Sequence, residues 1–301
     1  MEILYQTFNY YLNKAENILI SANTEENPAK WLFKNNFRTP LFMLEALTKV
    51  YKRVSDKDTF EKLNKLFKAS EDLIGEIDFF YYYAEVLDGD DIKRDLTKKA
   101  QEKEAEYNGI LKDKDWLNGK RITKIRKQLS ELPKINIAEE TAKIREFYTK
   151  EIDKIISFSQ SGDFKFEDIE DDVHEMRRKL RWLSIYPQAF LGLFKYADRS
   201  NSTPEHIKKY LTDKIINSPY NVFPTALTFK EHIEINKDYF LALSWVIDAI
   251  GDLKDEGLKS DALEIVHHGN IDKKQMDSLL QKSKDILVPF FKEGNLEHLL
   301  A

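Results

Sequence analysis

The feature that most constrains this chain is the recurrence of apolar side chains every three or four residues over long stretches without breakers. Ten glycines and eight prolines are all that punctuate 301 residues. That period places apolar groups on one side of a 3.6-residue helix, while strand-like alternation is essentially absent. Helices are expected over 3–22, 26–54, 57–87, 92–112, 118–131, 137–160, 166–197, 203–216, 236–266 and 272–290, with a short last turn near 295–300. The exception is SPYNVFPTALTF, 218–229, whose two prolines favour a packed loop over a strand.

Several breaks divide these helices. DGDD at 88–91 ends one helix and offers aspartates to cap the next. LPKIN at 132–136 interrupts the chain near its middle, and SQSGDFKFED at 159–168 reads as a turn. NSTPEH at 201–206 reads as an N-cap with proline in the first turn. KRDLTKKAQEKEAEY is polar nearly all round, as in a solvent-washed helix held by charge pairs.

Hydrophobic residues at 42% and charged residues at 33% give a soluble, globular balance, large enough for one large domain or two small ones. No apolar run approaches the roughly 18–20 residues that span a bilayer, and the N-terminal stretch lacks the pattern of a signal peptide. The absence of cysteine excludes disulfides and thiol chemistry and fits a cytoplasmic protein. The net charge of −5 is opposite to that of a general nucleic-acid binder, so an anion site requires a local concentration of cations.

Such concentrations exist. In VHEMRRKLRWL, 173–183, a helix places Val173, Met176, Leu180 and Leu183 on one face and His174, Arg177, Arg178 and Arg181 on another. Like charges at these spacings do not stabilise an isolated helix, whereas arginines on adjacent turns are suited to clamping an oxyanion. A second stripe sets Lys34, Arg38, Lys49 and Lys52 opposite Phe33, Phe37, Pro40, Leu44 and Leu47, with Glu45 interrupting the cations. A third, in NGKRITKIRKQL, aligns Lys120, Lys124 and Lys127, flanked by Arg121, opposite Ile122, Ile125 and Leu129. Read alone, each stripe is more often a solvated helix surface; three together bring the anion-binding reading level with it.

Two stretches echo each other. NNFRTPLFMLEAL, 35–47, is followed by LIGEID at 73–78, and VHEMRRKLRWL by AIGDLKDE at 249–256. Each pairs an arginine-bearing helix with a later helix carrying Ile-Gly and acids. A duplicated helical unit and chance similarity both remain open on the letters alone. The second half is longer by about 37 residues, within roughly 199–236.

VHEMRRKLRWL resembles the motif helix of the CHAD family, the conserved-histidine α-helical domains, and IGDLKDE, with Asp255 four residues after Gly251, is similar to that family's downstream motif. LIGEID, with Asp78 three after Gly75, is a looser version. The resemblance covers roughly 5–290. It implies an all-α fold: a single CHAD-like helical domain over 1–301 whose two four-helix-bundle-like halves, about 5–131 and 137–290, arise by internal duplication and surround a basic central cavity. It also implies binding of inorganic polyphosphate or a similar polyanion. The candidate polyanion-binding residues are Lys34, Arg38, Lys49, Lys120, Arg121, Lys124, Lys127, His174, Arg177, Arg178 and Arg181. The first motif departs from the family, with Asn35 where its histidine would stand, Pro40 early in the helix, and Leu41, Phe42, Glu45 and Lys49 in place of its arginines.

The competing reading is a helical interaction or scaffold protein that has lost strong polyphosphate binding and works with a protein partner or as a homodimer. The chain offers little for catalysis. His267-His268 beside Gly269 fits a helix end, EDIEDD at 167–172 lacks calcium-loop spacing, and His206, His232 and His298 have no sequence partners. No phosphate loop, nucleophile elbow or HExxH occurs. Asp78 and Asp255 read as structural partners for basic groups. The expectation is therefore a non-enzyme with no metal, no cofactor, and no membrane or nucleic-acid partner.

Overall fold

The computed structural model describes residues 3–161, 165, 167–197, 203–267, 269 and 273–301, with Glu170 described in its backbone only. Among the described residues the fold is mostly helical: α1 (Ile3–Ala22), α2 (Pro28–Lys34), α3 (Arg38–Val54), α4 (Lys57–Val86), α5 (Asp90–Asp113), α6 (Lys120–Ser130), α7 (Ile137–Gln160), α8 (Glu175–Ala189), α9 (Asp213–Ile216), α10 (Lys237–Ile265) and α11 (Lys273–Lys292). A π-helical turn, Ile169–His174, precedes α8, and 3-10 turns occupy Glu205–Tyr210 and Pro219–Asn221. The chain divides into two compact units, residues 1–140 with 262–268, and residues 141–261 with 269–301.

In the first unit α4 packs against α3 and α5, and α1 against α3, α2 and α6. The core is aromatic. Phe8, Tyr51 and Phe60 meet with ring centroids 5.5–5.8 Å apart, and Phe37, Phe67, Tyr107 and Trp116 are also buried. The buried carboxylate of Glu140 accepts hydrogen bonds from the amides of Ile3 and Leu4, at 3.0 and 2.8 Å, and from the Tyr51 hydroxyl at 2.6 Å. It therefore caps the start of α1, where backbone donors have no intrahelical acceptor and a negative charge is favoured.

The expected helix over 26–54 is two helices. Asn27 caps α2 by accepting from the Lys30 amide, with Pro28 in its first turn. Asn36 then takes a left-handed φ of 57° and α3 restarts at Arg38. Pro40 explains the break: its ring would clash with the carbonyl four residues back in a continuous helix, so it fits only the first turn of a new one. Lys34 and Arg38 consequently lie on different helices and not on one cationic stripe.

The second unit contains a feature that the sequence pattern does not announce. Phe194–Tyr196 (β1) and Ile233–Ile235 (β2) pair in parallel, with Phe194 opposite Ile233 and Tyr196 opposite Ile235, and Leu300 bridges Ile235 on the other edge. Three residues per strand are too few to display a period of two. The helix expected over 166–197 ends at Ala189, after which Leu191 and Gly192 reverse the chain at φ 54° and 126°. The helix expected over 203–216 consists of the 3-10 turn and the short α9. The aromatic stretch is a loop that buries Phe223 and Phe229. Pro187 lies inside α8 and cannot donate to the carbonyl of Leu183, and that carbonyl instead accepts from the Tyr148 hydroxyl at 2.8 Å.

Some expected features fall outside the described residues: the N-cap at Asn201 or Ser202, part of the turn over 159–168, residue 272 at the start of the last helix, and His268. Among the described residues no helix is long and apolar enough to cross a membrane.

Candidate functional site

The apolar faces of the cationic helices lie where the spacing predicts, except that Phe33, on α2, is only half-buried. Val173, Met176, Leu180 and Leu183 are buried, as are Ile122, Ile125 and Leu129, and Phe37, Pro40, Leu44 and Leu47. The cations opposite them have more varied surroundings.

In the first unit Arg38 opens α3 and reaches α4. Its Nε donates to Glu71 Oε1 at 2.7 Å and its Nη1 to Asp78 Oδ2 at 2.9 Å. The guanidinium lies over Gly75, where a β-carbon would come within 2.8 Å of Nη2. Glu71, Gly75 and Asp78 share one face of α4, so this helix offers a carboxylate, a gap and a carboxylate in succession. Glu71 is buried, and burial raises its carboxyl pKa against the opposing pull of Arg38, with Glu45 and Asp72 adding to the rise. Lys49 pairs with the buried Glu45 at 3.0 Å, the local pairing expected from Glu45 in that stripe.

In the second unit Arg177 of α8 faces α10 in a comparable way. Its Nε donates to the Ile247 carbonyl at 3.1 Å, and a β-carbon at Gly251 would lie 3.1 Å from its Nη2. Burial pulls its pKa below the ordinary arginine value, while Asp255, Asp248 and Asp252 push it back up. Asp248 also pairs with Lys214 at 2.6 Å, and Asp255 pairs with Lys254. In each unit an arginine thus rests against a helical glycine whose neighbouring turns carry acids.

The remaining candidates are on the surface or partly buried. Arg178 is exposed and lies 3.4 Å from Glu175. His174 closes the π turn and Arg181 is half-buried on α8, so the α-helical face expected from His174 onward begins one residue later, at Glu175. On α6, Lys124 and Lys127 are each 3.9 Å from a carboxylate, of Asp115 and Glu131 respectively. Arg121 Nε donates to the Lys114 carbonyl at 2.8 Å. Lys34 and Lys120 are exposed and have no ion pair among the described residues.

Two of the acids in 167–172 serve the chain itself: Asp168 accepts from the Asp171 amide, and Asp172 from the amides of Glu167 and Asp168. His267 stands at φ 61° just past α10, a helix-end conformation. Among the described residues no three His, Asp or Glu side chains gather as a metal-binding set.

Two contacts of these arginines are absent from the sequence expectations. Glu71 becomes a partner of Arg38 because it stands one turn before Gly75, a spacing readable in the sequence once the glycine is taken as a seat. The use of the Ile247 carbonyl as an acceptor has no sequence signal. No family model matches this chain, and neither a curated protein nor a solved structure shows significant similarity to it.

Proposed function

We propose that this chain is a non-catalytic helical interaction module built on a duplicated CHAD-like plan, in which the motif arginines tie helices together instead of clamping polyphosphate. The observation that carries this reading is the engagement of Arg38 with Glu71 and Asp78. A polyphosphate on Arg38 would have to displace both carboxylates and leave the buried Glu71 unpaired, a penalty of about 1–3 kcal/mol. Arg177, half-buried with its Nε on the Ile247 carbonyl and with Asp255, Asp248 and Asp252 raising its pKa, is likewise engaged within its own unit. The recurrence of an arginine against a helical glycine, at Gly75 and Gly251, supports the duplicated plan.

A second reading, binding of a phosphate-rich polyanion, is favoured by the exposure of Lys34, Lys120, Lys124 and Lys127. Calorimetric titration with long-chain polyphosphate from about 20 to 200 mM salt separates the two, because phosphate contacts weaken steeply with salt. The interaction-module reading expects little or no heat at the higher salt and no effect of Arg38→Ala. Tight binding at that salt, abolished by Arg38→Ala together with Arg177→Ala in a protein that remains folded, overturns it.

A further inference from the structure

The dipeptide Asn-Gly occurs twice in the chain, at 108–109 and 118–119, in opposite surroundings. Glycine after asparagine leaves the backbone free, and no side chain keeps the glycine nitrogen from the asparagine Cγ. Asn108 is half-buried inside α5, where the Gly109 amide belongs to the helical ladder. Its Oδ1 accepts from the Ala29 amide at 2.8 Å and its Nδ2 donates to Asn27 Oδ1 at 2.9 Å. Asn118 is exposed in the turn between α5 and α6, and Gly119 stands at a left-handed φ of 73°. The Gly119 amide donates to the Trp116 carbonyl at 3.2 Å, the long end of such bonds. Asn118 Oδ1 accepts from the Lys120 amide at 3.0 Å, and its Nδ2 donates to Asp115 Oδ1 at 2.9 Å.

We propose that Asn118 is a site of spontaneous deamidation in the folded chain, and that its isoaspartyl product unties the start of α6 from the end of α5. Hydroxide takes the Gly119 amide proton, and the nitrogen attacks Asn118 Cγ. The Cγ–Nδ2 bond breaks, and Nδ2 leaves as ammonia with a proton from water. Water then opens the resulting succinimide. Attack at Cγ gives aspartate; attack at the backbone carbonyl gives isoaspartate, with the chain rerouted through the former side chain. Oδ1 carries the negative charge of the addition step, and it already accepts a backbone donor at the positive end of α6. Asp115 holds the departing nitrogen. Its pKa lies below the ordinary carboxylate value, chiefly through the Asn118 hydrogen bond and further through Lys120, Lys124 and Arg121, so it stays ionised and favours positive charge on that nitrogen. The turn is closed by the Arg121 amide on the Asp115 carbonyl at 3.0 Å and by Arg121 Nε on the Lys114 carbonyl at 2.8 Å. An extra backbone carbon between 118 and 119 puts these donors out of register.

The test holds the full chain at mildly alkaline pH, folded and in parallel unfolded in guanidinium chloride. Peptides are followed by mass spectrometry with electron-transfer fragmentation, which tells isoaspartate from aspartate. In the folded chain Asn118 should convert roughly tenfold or more faster than Asn108, mainly to isoaspartate. In guanidinium the two rates should converge, because both dipeptides lose their surroundings. Equal rates in the folded chain overturn the proposal. So does a gap that persists in guanidinium, which would assign it to flanking sequence instead of the fold, and so does a folded chain that modifies neither asparagine while the unfolded chain modifies both. Hydrogen exchange by NMR reads the consequence. The Arg121 amide should exchange roughly tenfold or more faster in the isoaspartyl protein than in fresh protein. Asn118→Asp adds the charge without the extra carbon and should change it far less. Unchanged protection of Arg121 after modification, or equal loss in Asn118→Asp, overturns the untying of α6.

Discussion

Arg38 Nη2 lies 2.8 Å from the point where a β-carbon on Gly75 would stand, and Arg177 Nη2 lies 3.1 Å from the same point on Gly251. Contacts under 3 Å require something to move. Arg38 has little freedom to do so, because Glu71 and Asp78 hold it from two sides. In an exposed helix interior, replacing glycine by alanine stabilises by about 0.5–1 kcal/mol. Gly109 of α5 has nothing within 4 Å of its would-be β-carbon and should show that gain. Gly75→Ala should instead destabilise, by about 1 kcal/mol, because displacing the ion-paired guanidinium outweighs the gain in helix propensity. Gly251→Ala should fall between the two. Urea unfolding of the three variants checks the ranking, and a Gly75→Ala protein as stable as Gly109→Ala would contradict the seat.

The same seats show what the sequence disclosed. The apolar period located most helices within a few residues and correctly buried the faces of α6 and α8, because core packing acts on one side of a helix and leaves a 3.6-residue trace. It did not disclose the break at Asn36, since Pro40 is compatible with either a kink or a first turn. Nor did it disclose the β1–β2 pairing, which depends on contacts between residues 39 positions apart. The cationic stripes were visible as stripes. That Arg38 is occupied by carboxylates could not follow from its own helix, because both partners belong to α4.

Glu71 gives this seat a pH dependence. Burial raises its pKa, with Glu45 of α3 and Asp72 of α4 adding to the rise and Arg38 opposing it. A folded pKa above the unfolded value, about 4.3 for glutamate, means the folded state binds the proton more tightly. The associated stabilisation is fully present below the unfolded pKa and is lost as pH rises through the folded pKa. Glu71→Gln should remove this component. The difference in urea midpoint between variant and parent should therefore change across the window just above pH 4, with the parent gaining on the variant as pH falls. A difference independent of pH there would refute the assignment. Arg38→Ala should shift the Glu71 carboxyl higher still, as followed by carbon-detected NMR titration.

Glu140 predicts a large stability effect far from any cationic stripe. Its carboxylate accepts from two backbone amides and a tyrosine hydroxyl, and the side chain is 1% exposed. Glu140→Ala leaves those donors buried or reliant on water at the start of α1, at a cost of about 2–4 kcal/mol. Glu140→Gln keeps the shape and one acceptor oxygen and should cost less. Amide hydrogen exchange at Ile3 and Leu4 reports the local consequence: both should exchange markedly faster in Glu140→Ala. Unchanged protection there would show that the cap is not what holds the start of α1.

Tyr148 and Pro187 make a prediction about coupling. Pro187 supplies no amide to the Leu183 carbonyl, and the Tyr148 hydroxyl takes its place at 2.8 Å. Tyr148→Phe therefore leaves a buried carbonyl without its donor, and should destabilise by about 1–2 kcal/mol. In a Pro187→Ala background the new amide at 187 is able to complete the helical hydrogen bond to Leu183. The hydroxyl then becomes redundant, and Tyr148→Phe should cost under about 0.5 kcal/mol. The double-mutant cycle measures the difference directly from unfolding free energies. Additive effects of the two substitutions would mean that the tyrosine is not replacing the amide proline lacks. A coupling of about 1 kcal/mol would identify the Tyr148 side chain of α7 as the donor that lets α8 continue past Pro187 to Ala189.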